Sequence, residues 1–245
     1  MTGLIYMRYE LLRSLRNRRF FFLSLGFPLI LFYVIASPYR HVHNYDGTGI
    51  SLPLYYMVGL AAFGSMMAIV SNGSRIAAER QIGWTRQLRL TPLSTRAYFR
   101  AKVATGYMMA LIALALLFAA GASLGVSMPA QRWLEMAGLM LVALLPLAAL
   151  GIALGHLLNV DSLGPATGGV VSLLALLSGT WFPIGSHGFL HDLAQFLPSY
   201  WLVQASHIGL HGHAWSSMGW IVIAAWTAVL TLAVRYAFQR DTQRV

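Results

Sequence analysis

The side chains with most chemical reach in this chain are its histidines. His187 and His191 stand four apart, and His207, His211 and His213 form a second group. An i, i+4 histidine pair on a helix can hold zinc. However, Asp192 is the only carboxylate near them, there is no cysteine, and Gly188 weakens any helix joining the first pair. They read as polar loop positions close to a lipid interface, with Trp201 and Trp215 as aromatic anchors. Nucleotide chemistry is no better served. A phosphate loop needs Gly-x-x-x-x-Gly-Lys followed by Ser or Thr, and the only lysine is Lys102, preceded by Ala101. The expectation is a chain with no catalytic, cofactor or metal site of its own.

The elements around these residues are mostly apolar. Of 245 residues 58% are hydrophobic and 10% charged, whereas soluble domains carry about 25% charge. A bilayer core about 30 Å thick needs roughly 20 apolar residues per helix. Six uncharged runs qualify: 20–37, 54–72, 103–126, 136–158, 165–182 and 218–234. The first is short and carries Pro28, and the fourth contains Pro146; both prolines are expected to kink their spans. The first run is too long for a signal-peptide core and lacks a small-residue cleavage site after it. With no repeat or linker visible, residues 1–245 read as a single transmembrane domain. The fold class is an all-α polytopic membrane protein.

The net charge of +10 would suit a nucleic-acid partner, but the positions of the basic residues argue otherwise. Fifteen of the 17 Lys and Arg precede the first run, follow the sixth, or lie between the second and third; only Arg40 and Arg132 fall in loops of the other side. By the positive-inside rule both termini and the second loop are cytoplasmic, in a plasma membrane, with no nucleic acid involved. The runs hold no Lys, Arg, Asp or Glu, which argues against a proton-coupled carrier and suits apolar or amphipathic cargo. In this topology Ser178 and His156 lie at opposite faces, so Ser178 has no base to make it a nucleophile. Gly121-x-x-x-Gly125 and Gly151-x-x-x-Gly155 offer small-residue stripes for helix contact, read here as packing within one subunit.

Two cytoplasmic segments stand out. Leu4, Ile5, Met7, Leu11, Leu12 and Leu15 share one helical face at the N-terminus, with Arg13 and Arg16 opposite, as an interfacial helix would have them. The stretch 75–102 mixes Trp84, Leu88 and Leu90 with arginines, a composition common in protein contacts. Pro92 is expected to end one short helix there, and Ser94 or Thr95 to cap the next. A basic loop that only enforces topology has the same composition. Between 189 and 210, Pro198 interrupts an apolar segment, which predicts a broken helical hairpin in the outer leaflet between spans five and six.

The pattern Glu79-Arg80, Gly83, Leu88, Thr91-Pro92-Leu93-Ser94, then Tyr98 and Lys102, resembles the ABC-2 family of ATP-binding-cassette transporter permeases. So do Ser178-Gly179-Thr180-Trp181-Phe182-Pro183 and Leu197-Pro198-x-x-Trp201-Leu202-Val203, in the same order and at similar chain length. The resemblance implies a permease half of an exporter of the drug- or antibiotic-resistance type, moving hydrophobic or amphipathic cargo (drug, antibiotic or lipid) outward. It implies a coupling helix between spans two and three, with Glu79, Arg80, Gly83, Trp84, Leu88, Thr91 and Pro92 in the contact region. It also implies an outer gate at Gly179, Phe182, Pro183 and Pro198. The partners it implies are two copies of a cassette ATPase, which bind ATP and Mg, and a second permease, identical or homologous. The segment 184–191 departs from the family, which has more apolar residues and a proline there. A non-transporting membrane sensor or assembly subunit is the alternative reading.

Overall fold

The structure, a computed structural model of the chain, describes residues 2–17, 22–41, 50–84, 87, 90–91, 93–181, 188–210 and 214–243. Helices build it: α1 (Thr2–Arg16), α2 (Phe27–Ala36), α3 (Leu52–Ser71), α4 (Gly73–Gln81), α5 (Thr95–Ser123), α6 (Ala130–Leu157), α7 (Val160–Leu177), α8 (Phe189–Gln195), α9 (Pro198–Ser206) and α10 (Ser217–Gln243). No strand occurs among the described residues. Five helices are long and apolar enough to cross a bilayer: α3 with α4, α5, α6, α7 and α10.

The expected first span is not among the five. Regular α-helix begins only at Phe27, because Pro28 occupies the first helical turn rather than mid-span. Proline has no N–H to donate and is tolerated where that N–H would have no partner. The residues before it, Phe22–Gly26, wind as a π-turn, and Ser37–Tyr39 after α2 tighten to 3-10. The other expected runs each overlap one long helix, but the helices start earlier, and α5, α6 and α7 end at Ser123, Leu157 and Leu177, before their runs do. Ser94 caps α5 by accepting the Ala97 N–H at 3.2 Å, so α5 starts eight residues before the apolar run and takes Lys102 into its first turns.

Helix α3 is the hub. Within its apolar stretch 78% of residues are buried in the chain, against 22% for α7 and for α10. Met57 and Met66 of α3 meet Met136, Met140, Leu144 and Leu147 of α6 in the main core, with Leu202 of α9 beside them. The outer helices expose apolar side chains: Phe27, Ile30 and Val34 on α2, Leu173 and Leu176 on α7, Ile221, Val229 and Leu232 on α10. Exposed apolar surface of that extent belongs in lipid rather than in water.

Glycines set how closely α6 approaches the hub. A Cβ on Gly151 would lie 2.6 Å from the Val70 carbonyl oxygen, and one on Gly73 would overlap the Gly151 carbonyl. The Gly151-x-x-x-Gly155 stripe thus packs within the subunit, as expected. The other stripe divides. Gly121 packs on Met57, whereas Gly125 (φ 88°) faces open space and ends α5 in a Schellman turn, with Val126 N–H bonded to Gly121 O and Gly125 N–H to Ala122 O.

The apolar segment is broken where Pro198 predicts: α8 stops at Gln195, and α9 starts with Pro198 in its first turn. Trp201 and Trp215 correct the expectation of interface anchors, since both are buried. Trp215 Nε1 donates to Trp201 O at 3.0 Å, and Trp201 Nε1 to Gln195 O at 2.9 Å. Their indole N–H groups find backbone carbonyls inside the hairpin, so the rings serve as core.

Candidate functional site

Helix α4 prolongs α3 past Asn72, whose own backbone stays helical. The junction is tied to α5 by the Asn72 side chain, whose Nδ2 donates to Lys102 O at 2.8 Å. One face of α4 then lies on α6. Gly73 and Gly155 meet backbone to backbone, and Ile76 packs with Ile152 and Ala153 of α6 and Val234 of α10. On the same face Arg80 Nη1 donates to Gly155 O and Leu158 O, both at 3.2 Å. These are carbonyls that the end of α6 leaves unpaired, so Arg80 caps that helix and favours its dipole.

The opposite face of α4 carries Arg75 and Glu79 into a buried charge cluster shared with α1 and α5. Lys102 Nζ lies 2.7 Å from Glu10 Oε1 and 2.7 Å from both Glu79 oxygens. Its three N–H donors therefore have three carboxylate acceptors. Arg13 Nη1 donates to Glu79 Oε1 at 3.2 Å, and Arg75 Nη2 faces Glu10 Oε1 at 3.8 Å. Lys102 and Glu79 are both 0% exposed, and the ammonium lies 5.3 Å from the Tyr98 ring centre. Burial first, then the charges of Glu10 and Glu79, push the Tyr6 phenol far above its ordinary value, so it stays neutral.

The expected site residues are therefore arranged unevenly. Glu79 and Arg80 turn inward: neither is displayed as a direct contact for another chain, and each ties α4 to a neighbouring helix. Gly83 (φ 72°) closes α4, its N–H bonded to Arg80 O at 3.1 Å. Trp84 follows, half-buried, and its Nε1 has no hydrogen-bond partner among the described residues. Around it Ile82 and Leu90 are exposed, Leu90 at 89%, and Thr91 is exposed too. Leu88 and Pro92 lie outside the described residues. At the other end Gly179 (φ 75°) ends α7 in a second Schellman turn, with Thr180 N–H on Ala175 O. Ser178 hydrogen-bonds to Ser199, next to the buried Pro198, so two of the expected gate residues flank one contact. Phe182 and Pro183 are outside the described residues, as are His187, His211 and His213. His191 contacts Gln195 Nε2 at 2.6 Å.

Sequence reasoning missed Glu10 and the role of Lys102. A signal was present. Glu10 is the only acid in the first 45 residues, and Lys102 is the only lysine in a chain that otherwise uses arginine. Lysine is the compact point charge that a site shared by two carboxylates can enclose.

With this geometry in place, the comparisons with known proteins decide the family. The sequence profile described as ABC-2 type transporter matches residues 4–211. The chain belongs to the ABC-2 type transporter family. It is also similar to the "Putative transport permease YvfS" of Bacillus subtilis (strain 168), 28% identical over 195 residues that cover 78% of each protein. Members of this family are multi-pass membrane components of transporters, not themselves catalytic, and generally work with an ATPase partner.

Proposed function

We propose that this ABC-2 permease is the membrane half of an exporter for hydrophobic or amphipathic cargo, driven by two copies of a cassette ATPase that bind ATP and Mg. The observation that carries the reading is the position of α4. Its far end leads to a tip bearing Ile82, Trp84 and Leu90, and its body is clamped on both sides. Force applied at the tip reaches α6 through the Gly73–Gly151–Gly155 contact and Arg80. It reaches α1 and α5 through Glu79, Lys102 and Glu10. Such a lever suits coupling to a motor on another chain.

The run Phe22–Tyr39 supports a sixth span. It is helical throughout, as π-turn, α2 and 3-10 turn, and its 18 residues would reach about 27 Å. Six spans place both termini and the α4 tip on one side, the basic one, hence the cytoplasm. The α8–α9 hairpin then lies in the outer leaflet, with Gly179 and Pro198 near the exit. The exposed faces of α2 and α7 are suited to a second permease. Helix α1 rests at the interface, because Leu4, Ile5, Leu12 and Leu15 face away from the protein.

Co-purification of the tagged permease tests the reading. An ATPase should accompany it, with turnover that rises on adding cargo. Glu79→Gln should leave insertion intact but cut that response. A permease that brings down no nucleotide-binding protein, or a Glu79→Gln variant with full coupled turnover, would overturn it.

A further inference from the structure

Beside the charge cluster is a cleft of about 370 Å³, lined by Arg13, Arg16, Asn17, Ser74, Arg75 and Ala78. Among the described residues no carboxylate lines it. Arg75 is nine-tenths buried; its Nη2 is 3.8 Å from Glu10, beyond hydrogen-bond range, and its Nη1 has no acceptor among the described residues. The ammonium of Lys102 already takes the nearer oxygens of Glu10 and Glu79. Three cations thus share two carboxylates, and Arg16 adds a further charge at the rim. A buried guanidinium N–H group without an acceptor is costly, and an anion in the cleft would supply one.

The geometry points to a site for a phosphate oxyanion, carried by the headgroup of an anionic phospholipid. The Ser74 hydroxyl already donates to Ser71 O at 2.7 Å, so the three guanidiniums carry the recognition. Forked guanidinium donors match phosphate oxygens. The lipid source follows from α1, which supplies Arg13 and Arg16 and also exposes Leu4, Ile5, Leu12 and Leu15. Acyl chains beside that stripe bring a headgroup to the cleft. The inference rests on the interfacial placement of α1 and needs no ATPase.

The test measures lipid retained by the full chain. Wild-type permease is reconstituted with equal phosphatidylglycerol and phosphatidylcholine, extracted in mild detergent and weighed by native mass spectrometry. Phosphatidylglycerol should be retained in preference. Arg16→Gln and Arg75→Gln should each lower that preference about tenfold, the loss of one charge-assisted contact. Arg132→Gln, on a different helix, should leave it unchanged. If Arg75→Gln fails to elute as a folded protein, Arg16→Gln decides alone. Inorganic phosphate distinguishes the sources. Retention that phosphate does not displace assigns the headgroup, whereas displacement, with phosphate itself raising Tm, assigns a free anion to the same arginines. Equal retention of the two lipids by wild type, or an equal loss in Arg132→Gln, overturns the site. Because no nucleotide or partner enters the assay, its failure is separate from failure of the coupling reading.

Discussion

Replacing Lys102 by Met tests whether the buried cluster holds α1 and α4 to the hub. Met fills most of the space of the lysine stem and removes the charge. Three contacts of 2.7 Å disappear, and Glu10 and Glu79, 3% and 0% exposed, are left near each other without their shared cation. Arg13 is half-exposed and cannot replace it; Arg75 is too distant for a hydrogen bond. Removing one partner of a buried ion pair costs about 3–5 kcal/mol, and for a chain of this length that lowers Tm by about 10 °C. Thermal unfolding of purified protein in detergent reads the shift, and limited proteolysis in the segment after α1 reads its release. The triple variant Lys102→Met, Glu10→Gln, Glu79→Gln should recover most of the loss, because the penalty comes from stranded charge rather than from missing attraction. A single variant as stable as wild type would refute the reasoning, as would a triple variant less stable than the single one.

Other consequences follow from local contacts. Gly73→Ala sets a methyl group against the Gly151 carbonyl and should cost about 2 kcal/mol in thermal stability, whereas Gly169→Ala, which meets only open space, should cost nothing measurable. Leu90→Asp, at the most exposed apolar side chain of the tip, should leave Tm unchanged and abolish co-purification with an ATPase. Burial lowers the His207 imidazole below its ordinary value, so the folded state binds fewer protons than the unfolded chain. Stability supplied by neutral His207 is complete above about pH 6.5 and is lost as pH falls toward the lowered value, a slope that His207→Gln should remove in Tm-versus-pH profiles.

The long spans were legible because bilayer thickness imposes a length that uncharged runs satisfy directly, as with residues 218–234 inside α10. The first run was legible as an apolar stretch but not as a mixture of π, α and 3-10 turns, since run length does not say that Pro28 falls in the first turn of α2. Within the expected contact segment the burial of Glu79 was not legible. Glu79 and Arg80 were expected in the contact region, and each pairs with groups far along the chain: Glu79 with Lys102, 23 residues on, and Arg80 with Gly155, 75 residues on. No periodicity within α4 encodes those distances. Trp201 and Trp215 failed for a related reason: a tryptophan near a span end suits a lipid interface and a hairpin core equally until its N–H partner is known.

Helix α1 unites these points. Its leucines were read correctly as one face, but that face points away from the protein, while Glu10 and Ser14 are buried against it. In water this arrangement would be inverted, since it exposes apolar area and buries charge. It suits the interfacial placement proposed above, with lipid on one side and the Lys102 cluster on the other. The Tyr6–Tyr98 ring contact and the close approach of Gly3 to Ala97 also hold α1 on α5, so stranding one charge of the cluster loosens an attachment that packing shares. Glu79 belongs to the same cluster and stands on the helix that leads to the tip. A shift of α4 large enough to lengthen the Glu79–Lys102 contact would leave Lys102 to Glu10 and Arg13 to solvent, loosening α1 from α4 while α5 still holds it. Motion at the tip and the seating of the N-terminal helix are thus coupled through one ammonium group.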